Sequence, residues 1–209
     1  MLIVINMTNQ DIMEKGIQLM RLAEEHTIAF KEEMQEAFLR GFQAYNKDDS
    51  EDSNQWQVLP DEDFYRSLRA EGAEAYEAVE ADGQRVGGAI LSIHKTEGEL
   101  AFLYVKVGIQ SRGIGQAIWK AIEAMHPEVE VWETCTPYFD RRNIHFYINR
   151  CGFHAVEFFN EHHPDPHMPE QLTEQRGPSS ELERPSRDGR RRSQFDQEDG
   201  LFKFEKRMK

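Results

Sequence analysis

Long hydrophobic runs are missing from this chain of 209 residues. Its apolar stretches fall well short of the roughly 18–20 residues needed to cross a bilayer, so no transmembrane segment is expected. The opening residues, MLIVINMTNQD, lack a basic region and hold only a short apolar stretch, so no signal peptide is expected either. Cysteine is scarce. Cys135 and Cys151 cannot make a disulfide framework, and the expected setting is a reducing cytoplasm. Positive charge is outweighed: 25 Lys and Arg stand against 38 Asp and Glu, the formal charge is −13 and the pI about 5.1. That balance argues against general nucleic-acid binding, which depends on neutralising phosphates. Internal repeats are absent. What the chain does have is 39% hydrophobic and 11% aromatic residues, enough for the core of one α/β domain.

Leu2 to Asn6 reads as a short strand. No proline interrupts residues 7–47, and Met13, Ile17 and Met20 recur at helical spacing. Phe30, Met34, Phe38 and Phe42 repeat every fourth residue, which places them on one helix face as core. The stretch reads as one bent helix or two, with a break near residues 26–29. Residues 48–63 hold seven acids and no Lys or Arg. This is a solvated loop or an acidic rim that attracts a cationic amine. Asp61 is placed to cap a short helix through Phe64 and Leu68, ended by Gly72. Two strands follow, Ala75 to Ala81 and Gln84 to Ile93, joined at Asp82-Gly83 by a hairpin turn with both residues at positive φ. Glu99 to Val107 reads as a central strand, and Ile114 to Met125 as a helix stopped by Pro127. Val129 to Thr134 is a strand, residues 142–150 are helical, and Ala155 to Phe159 is a strand. Residues 163–199 hold five of the eight prolines and only four hydrophobic residues, so a flexible polar insertion is expected there. Residues 200–209 regain strand character through Phe202 and Phe204.

The element that carries chemistry is the strand, glycine loop and helix from Val105 to Met125. Gly113 and Gly115 at a helix start allow several backbone N–H groups to converge on one anion, aided by the helix dipole. Ser111 adds a hydroxyl and Arg112 a charge. The expectation is a pyrophosphate cradle. A dinucleotide fingerprint fails because its third glycine position is Ile118, and a Walker loop fails because no Lys follows Gly115.

Val105-x-Val107-x-x-Gln110-x-x-Gly113-x-Gly115 resembles the acetyl-CoA-binding signature of the GNAT N-acetyltransferase superfamily. Phe146-Tyr147 ahead of Gly152-Phe153 is similar to the family's second motif, and the order of elements agrees over residues 1–162 and 200–209. The resemblance implies a mixed, mostly antiparallel sheet with a central V-shaped splay, flanked by helices. It implies acetyl-CoA as co-substrate, without metal. Val105, Lys106 and Val107 would line the pantetheine arm, and an N–H near Val105 or Lys106 would polarise the thioester. Gln110, Ser111, Arg112, Gly113, Ile114, Gly115 and Gln116 would hold the pyrophosphate. Asn143 and Phe146 are further CoA contacts, and Tyr147 is the implied general acid. Two departures stand out. Tyr147 and Gly152 are five residues apart where the family has four, which leaves the direction of the phenol open. Asp140 occupies the place of the family's asparagine, with Asn143 nearby.

The base is open between Glu99 and Glu133, with a water relay as the third choice. His162, His163 and His167 with Asp165 suggest metal, but His163-Pro-Asp-Pro-His167 is extended, so a solvated loop is the expectation. Cys151 reads as a small buried residue, and Cys135 as inert for want of a base. The sequence thus predicts an N-acetyltransferase acting on a primary amine of a small molecule or peptide, cytoplasmic, with a homodimer open through the C-terminal strand. Transfer of a longer acyl group, and an acyl-CoA-binding sensor using residues 163–199 as its contact segment, are the alternatives.

Overall fold

The computed structural model describes residues 16–45, 59–110, 113–138, 140–160, 162–166 and 200–208. The elements run β1 (Gln18–Arg21), a 3-10 turn (Glu24–His26), α1 (Thr27–Tyr45), α2 (Asp61–Arg69), β2 (Ala73–Val79), β3 (Arg85–His94), β4 (Glu97–Val105), α3 (Ile114–Met125), β5 (Val131–Pro137), α4 (Arg141–His145), a π-helical turn (Phe146–Cys151), β6 (His154–Phe159) and β7 (Leu201–Arg207). The strands form one seven-stranded sheet in the order β1-β2-β3-β4-β5-β7-β6. Neighbours are antiparallel except β4 and β5, which are parallel. The fold is therefore the mixed, mostly antiparallel α/β sheet that the motifs implied.

Helices cover both faces. α3 packs its Ile114, Ile118, Trp119 and Ile122 stripe against one side, with Leu91, Leu100, Trp132 and Phe204. α1 and α2 cover the other with Phe30, Met34 and Phe64 on Ile90 and Tyr104. The four-residue stripe of α1 does bury Phe30 and Met34 completely.

Several sequence boundaries are corrected. Gln18–Arg21 is an edge strand, not helix: Ile17 is buried, Leu19 half-buried and Met20 54% exposed, a period of two that suits pairing with β2. Helix begins only at Thr27. The strand expected at Leu2 to Asn6, and most of the acidic stretch before Leu59, lie outside the described residues. Pro60, not Asp61, is the N-cap of α2. Asp61 instead ties α2 to α1, ion-paired with Lys31 and accepting from Gln35 Nε2 at 2.8 Å. In the β2–β3 turn only Gly83 has positive φ, +82°; Asp82 accepts from the Gln84 amide and the loop is wider than a two-residue turn. β4 ends at Val105, and Val107 and Gly108 form a turn beyond it. β7 is bonded on both edges, to β5 and β6, so it offers no free edge to a second copy.

One ionic cluster fixes the end of β4. Glu33 of α1 takes Arg85 Nε and Nη2 at 2.9 and 2.8 Å and Lys106 Nζ at 2.9 Å. Tyr104 donates to the same carboxylate at 3.2 Å. Burial alone would raise the Glu33 carboxyl, but Arg85 and Lys106 hold it below the usual carboxylate range.

Candidate active site

The site begins where two strands part. β4 and β5 pair only at Glu97–Val131, Gly98–Trp132 and Glu99–Glu133. Beyond that rung β4 continues to Val105 and β5 to Pro137, with β5 bonded only to β7. The result is a V open between Leu100–Val105 and Thr134–Pro137. In an antiparallel pair, successive residues direct their N–H and C=O to opposite edges. The Lys106 amide donates to Val86 O at 2.9 Å, toward β3. Leu103 and Val105 therefore turn their amides into the V.

This corrects one sequence expectation. The Lys106 amide is engaged by Val86 and its ammonium by Glu33, so Lys106 belongs to the scaffold. Of the two proposed donors to a thioester oxygen, only Val105 keeps its N–H free of β3.

The V leads into the glycine loop. Gly113 sits at φ +76° and ψ +11°, a left-handed conformation costly for any residue with a Cβ, and it caps α3. Ile114, Gly115 and Gln116 are the first three residues of that helix, so their amides have no intrahelical acceptor. These orphan donors and the positive end of α3 suit an anion. Ile114 itself is a buried anchor, so only its amide can serve a ligand. Gln116 turns its side chain away, donating to Arg150 O at 2.7 Å. Gln110 braces the loop: Oε1 accepts from the Gly108 amide at 2.9 Å and Nε2 reaches Val105 O at 3.4 Å. Ser111 and Arg112 lie outside the described residues. A Cβ on Gly115 would stand 3.3 Å from the Phe146 ring and 3.5 Å from Val105 Cγ2, so the bare Gly115 lets Phe146 close over the helix start a few tenths of an ångström nearer than a side chain would allow.

The extra residue between Tyr147 and Gly152 is absorbed by the π-helical turn, in which the Gly152 N–H bonds to Tyr147 O, five residues back. Tyr147 is buried against Phe146, Phe153 and Phe204. Burial pushes its phenol well above the ordinary value, and the neighbouring Thr134 hydroxyl works in the opposite sense. Thr134 is itself buried, donates to Leu100 O at 2.8 Å and stands opposite Phe204 in the sheet. Sequence reasoning missed it. The available signal was Trp132-x-Thr134-x-Thr136, a strand whose inward positions turn from apolar to hydroxyl. Asp140 caps α4 by accepting from the Asn143 amide at 2.9 Å, so the Asn143 side chain is left half-buried beside that cap.

Alternation along β5 puts Glu133 and Cys135 on the face opposite Trp132 and Thr134. Glu133 stands across from Glu99 at the last rung before the V. Glu133 is ion-paired with Lys203 at 2.8 Å, whereas Glu99 takes a 3.4 Å contact from Ser92 Oγ. His163 stacks on Phe159 and meets Glu157 at 2.8 Å. His167 lies outside the described residues.

A sequence model of the Acetyltransferase (GNAT) family matches residues 19–153, well over half of the chain. The chain is 43% identical over 154 residues to the uncharacterised protein YrkN of Bacillus subtilis (strain 168), covering 72% of this chain and 80% of that protein. Its fold is similar to PaiA N-acetyltransferase of Thermoplasma acidophilum in complex with coenzyme A, at TM-score 0.54, 17% identity and coverage of 92% of this chain and 99% of that one. It is also similar to spermidine N-acetyltransferase of Vibrio cholerae in complex with CoA and spermine, at TM-score 0.55, 11% identity and coverage of 93% and 96%.

Proposed function

This chain belongs to the GNAT acetyltransferase family, and from that premise we propose that it moves the acetyl group of acetyl-CoA to a primary amine by direct attack. The observation that carries the reading is the V between β4 and β5 running into the left-handed Gly113 and the orphan amides of Ile114, Gly115 and Gln116. Those amides hold the pyrophosphate, and the Leu103 and Val105 edge of β4 holds the pantetheine arm. Asn143 and Phe146 flank it.

Acetyl-CoA supplies an activated acyl group; the chain supplies positions and protons. The Val105 N–H faces the oxygen on which charge develops, a donor of the kind whose loss costs roughly 3–4 kcal/mol. Tyr147 gives its phenolic proton to the departing sulfur. On the opposite face Glu99 takes the proton of the amine, because Glu133 is already committed to Lys203. The net charge of −13 favours a cationic small molecule or a peptide amine as acceptor. That chemistry is in keeping with the spermine in the Vibrio complex. The two free thiols suit a reducing cytoplasm.

The test is a thermal shift with CoA, acetyl-CoA and longer acyl-CoAs, followed by turnover on an amine panel. Saturation at one hundred times Kd adds about 2.7 kcal/mol, which at roughly 2–4 °C per kcal/mol is a rise of roughly 5–11 °C. No shift with any of the three refutes the donor site. A shift without turnover on any amine leaves a binding module.

A further inference from the structure

One peptide beside the V is held from several sides. The Tyr104–Val105 peptide turns the Val105 N–H into the V, and its carbonyl, Tyr104 O, points the other way, against β3. Val105 stands opposite Gly87 there. A Cβ on Gly87 would lie 2.2 Å from Tyr104 O and 3.2 Å from Tyr104 C, both backbone atoms. β3 can therefore approach this peptide only because residue 87 has no side chain. Glu33 on α1 secures both flanks. Its two oxygens take four contacts, about as many as a carboxylate has lone-pair sites. Two come from Arg85 Nε and Nη2 at 2.9 and 2.8 Å. The other two come from the neighbours of Val105: the Tyr104 O–H at 3.2 Å and Lys106 Nζ at 2.9 Å. The Lys106 amide is fixed in turn to Val86 O at 2.9 Å.

We propose that Glu33 and Gly87 are positioning residues for the reaction, together setting the angle at which the Val105 N–H meets the thioester oxygen. This rests on the donor role given to Val105 above. A carboxylate that only fastened α1 to β3 would hold Arg85 and stop there. Here half of its contacts go to the two residues either side of the donor. Among the described residues β5 pairs with β4 no further than Glu99, so the upper half of β4 has no strand bracing it on the V side. What keeps the Val105 peptide from turning comes from α1 and β3. The angle matters because a hydrogen bond weakens steeply as it bends, and a donor aimed in advance needs no reorganisation when charge develops on the oxygen. No bond of the reaction forms or breaks at either residue. Glu33 keeps its charge, Gly87 supplies space, and proton and leaving group follow the course given above.

The experiment is difference infrared spectroscopy of acetyl-CoA, isotope-labelled at its acetyl carbonyl, bound to the full chain without amine and well below the Tm of each variant. In the wild type the carbonyl band should lie below that of free acetyl-CoA, because a hydrogen bond weakens the C=O bond. In Glu33→Gln it should return toward the free position and broaden, since an amide has one acceptor oxygen and cannot face Arg85, Lys106 and Tyr104 together. Lys106→Met should move the band part of the way, and Lys106→Arg should hold it. Gly87→Ala should move it with every charge in place; if that variant fails to fold, Glu33→Gln and Lys106→Met decide. Ile17→Ala removes buried packing just ahead of edge strand β1, which β2 and β3 separate from β4, and should leave the band where it is. On the best amine of the panel Glu33→Gln should lower kcat about tenfold, with KM for acetyl-CoA little changed. A wild-type band at the free position overturns the Val105 donor and this inference together. A displaced wild-type band that Glu33→Gln leaves unmoved, or that Ile17→Ala shifts equally, overturns the inference alone.

Discussion

Replacing Gly113 by alanine tests the centre of the site, because it alters one backbone angle and removes no contact. Gly113 holds φ +76° at the cap of α3. A residue with a Cβ in that conformation costs roughly 1–2 kcal/mol. For a chain of about 150–250 residues that lowers Tm by roughly 2–8 °C. Asparagine tolerates the left-handed region better than alanine, so Gly113→Asn should lose less. The second effect is on binding. If Gly113→Ala escapes the strain by relaxing φ, the amides of Ile114, Gly115 and Gln116 no longer converge. The thermal shift produced by CoA should then shrink. The assay is Tm for wild type, Gly113→Ala and Gly113→Asn, each with and without saturating CoA. An alanine variant with wild-type Tm and a wild-type CoA shift would show that neither the backbone angle nor the amide cradle matters, and the reasoning would fail.

Glu33→Gln removes charge-assisted bonds to Arg85 and Lys106, and should cost about 2–3 kcal/mol by chemical denaturation. The Glu33 carboxyl lies below its ordinary value in the folded chain, so its contribution is complete above the unfolded-state value and is lost as pH falls through the lowered folded-state one. The acid side of the stability–pH curve should flatten in the glutamine variant; an unchanged curve would contradict the assignment. Glu99→Gln should reduce turnover more than Glu133→Gln, and the reverse order in kcat would transfer the base role to Glu133. Cys135 has surface access, but enclosure of its sulfur by the sheet, with Asp165 and Glu99 adding to it, pushes the thiol up to about 12; burial does the same for Cys151. An anionic thiol reagent at neutral pH should therefore react slowly with Cys135, more slowly still with Cys151, and fast with both only after unfolding. Rapid modification of the native chain would contradict this.

The glycine loop was legible because its chemistry is local: a positive φ at a helix start selects glycine, and the spacing of Gln110, Gly113 and Gly115 reports it. The stripe of α1 was legible for the same reason, since Phe30 and Met34 share a face whatever they touch. β1 was not. A four-residue edge strand holding Leu19 and Met20, with Ile17 just ahead of it, offers too few positions to tell a period of two from one of three or four. The turn at Asp82-Gly83 showed its place but not its type, because the Asp82 side chain captures Gln84 and opens the loop. Lys106 looked like a ligand residue because nothing near it in sequence announces Glu33 on a distant helix. The π-helical turn did leave a mark, the offset of five from Tyr147 to Gly152. A count cannot say whether an extra residue is absorbed or displaces the side chain.

β7 lies between β5 and β6, with Leu201 opposite both Pro137 and Phe159. Phe204 is sealed in the core, and Lys206 is fastened to Cys151 O at 2.6 Å and to Glu123. The two ends of the long connection before β7 therefore stand side by side. A protease that cuts this chain anywhere between 167 and 199 would not release its tail. The fragment ending at Lys209 would stay threaded through the sheet, zipped along both borders, and the nicked enzyme would keep working as two pieces. Separating them should take less denaturant than melts the intact chain, and less still on dilution, because the nick turns an intramolecular contact into a bimolecular one; mixing them afresh should rebuild activity from two inert parts.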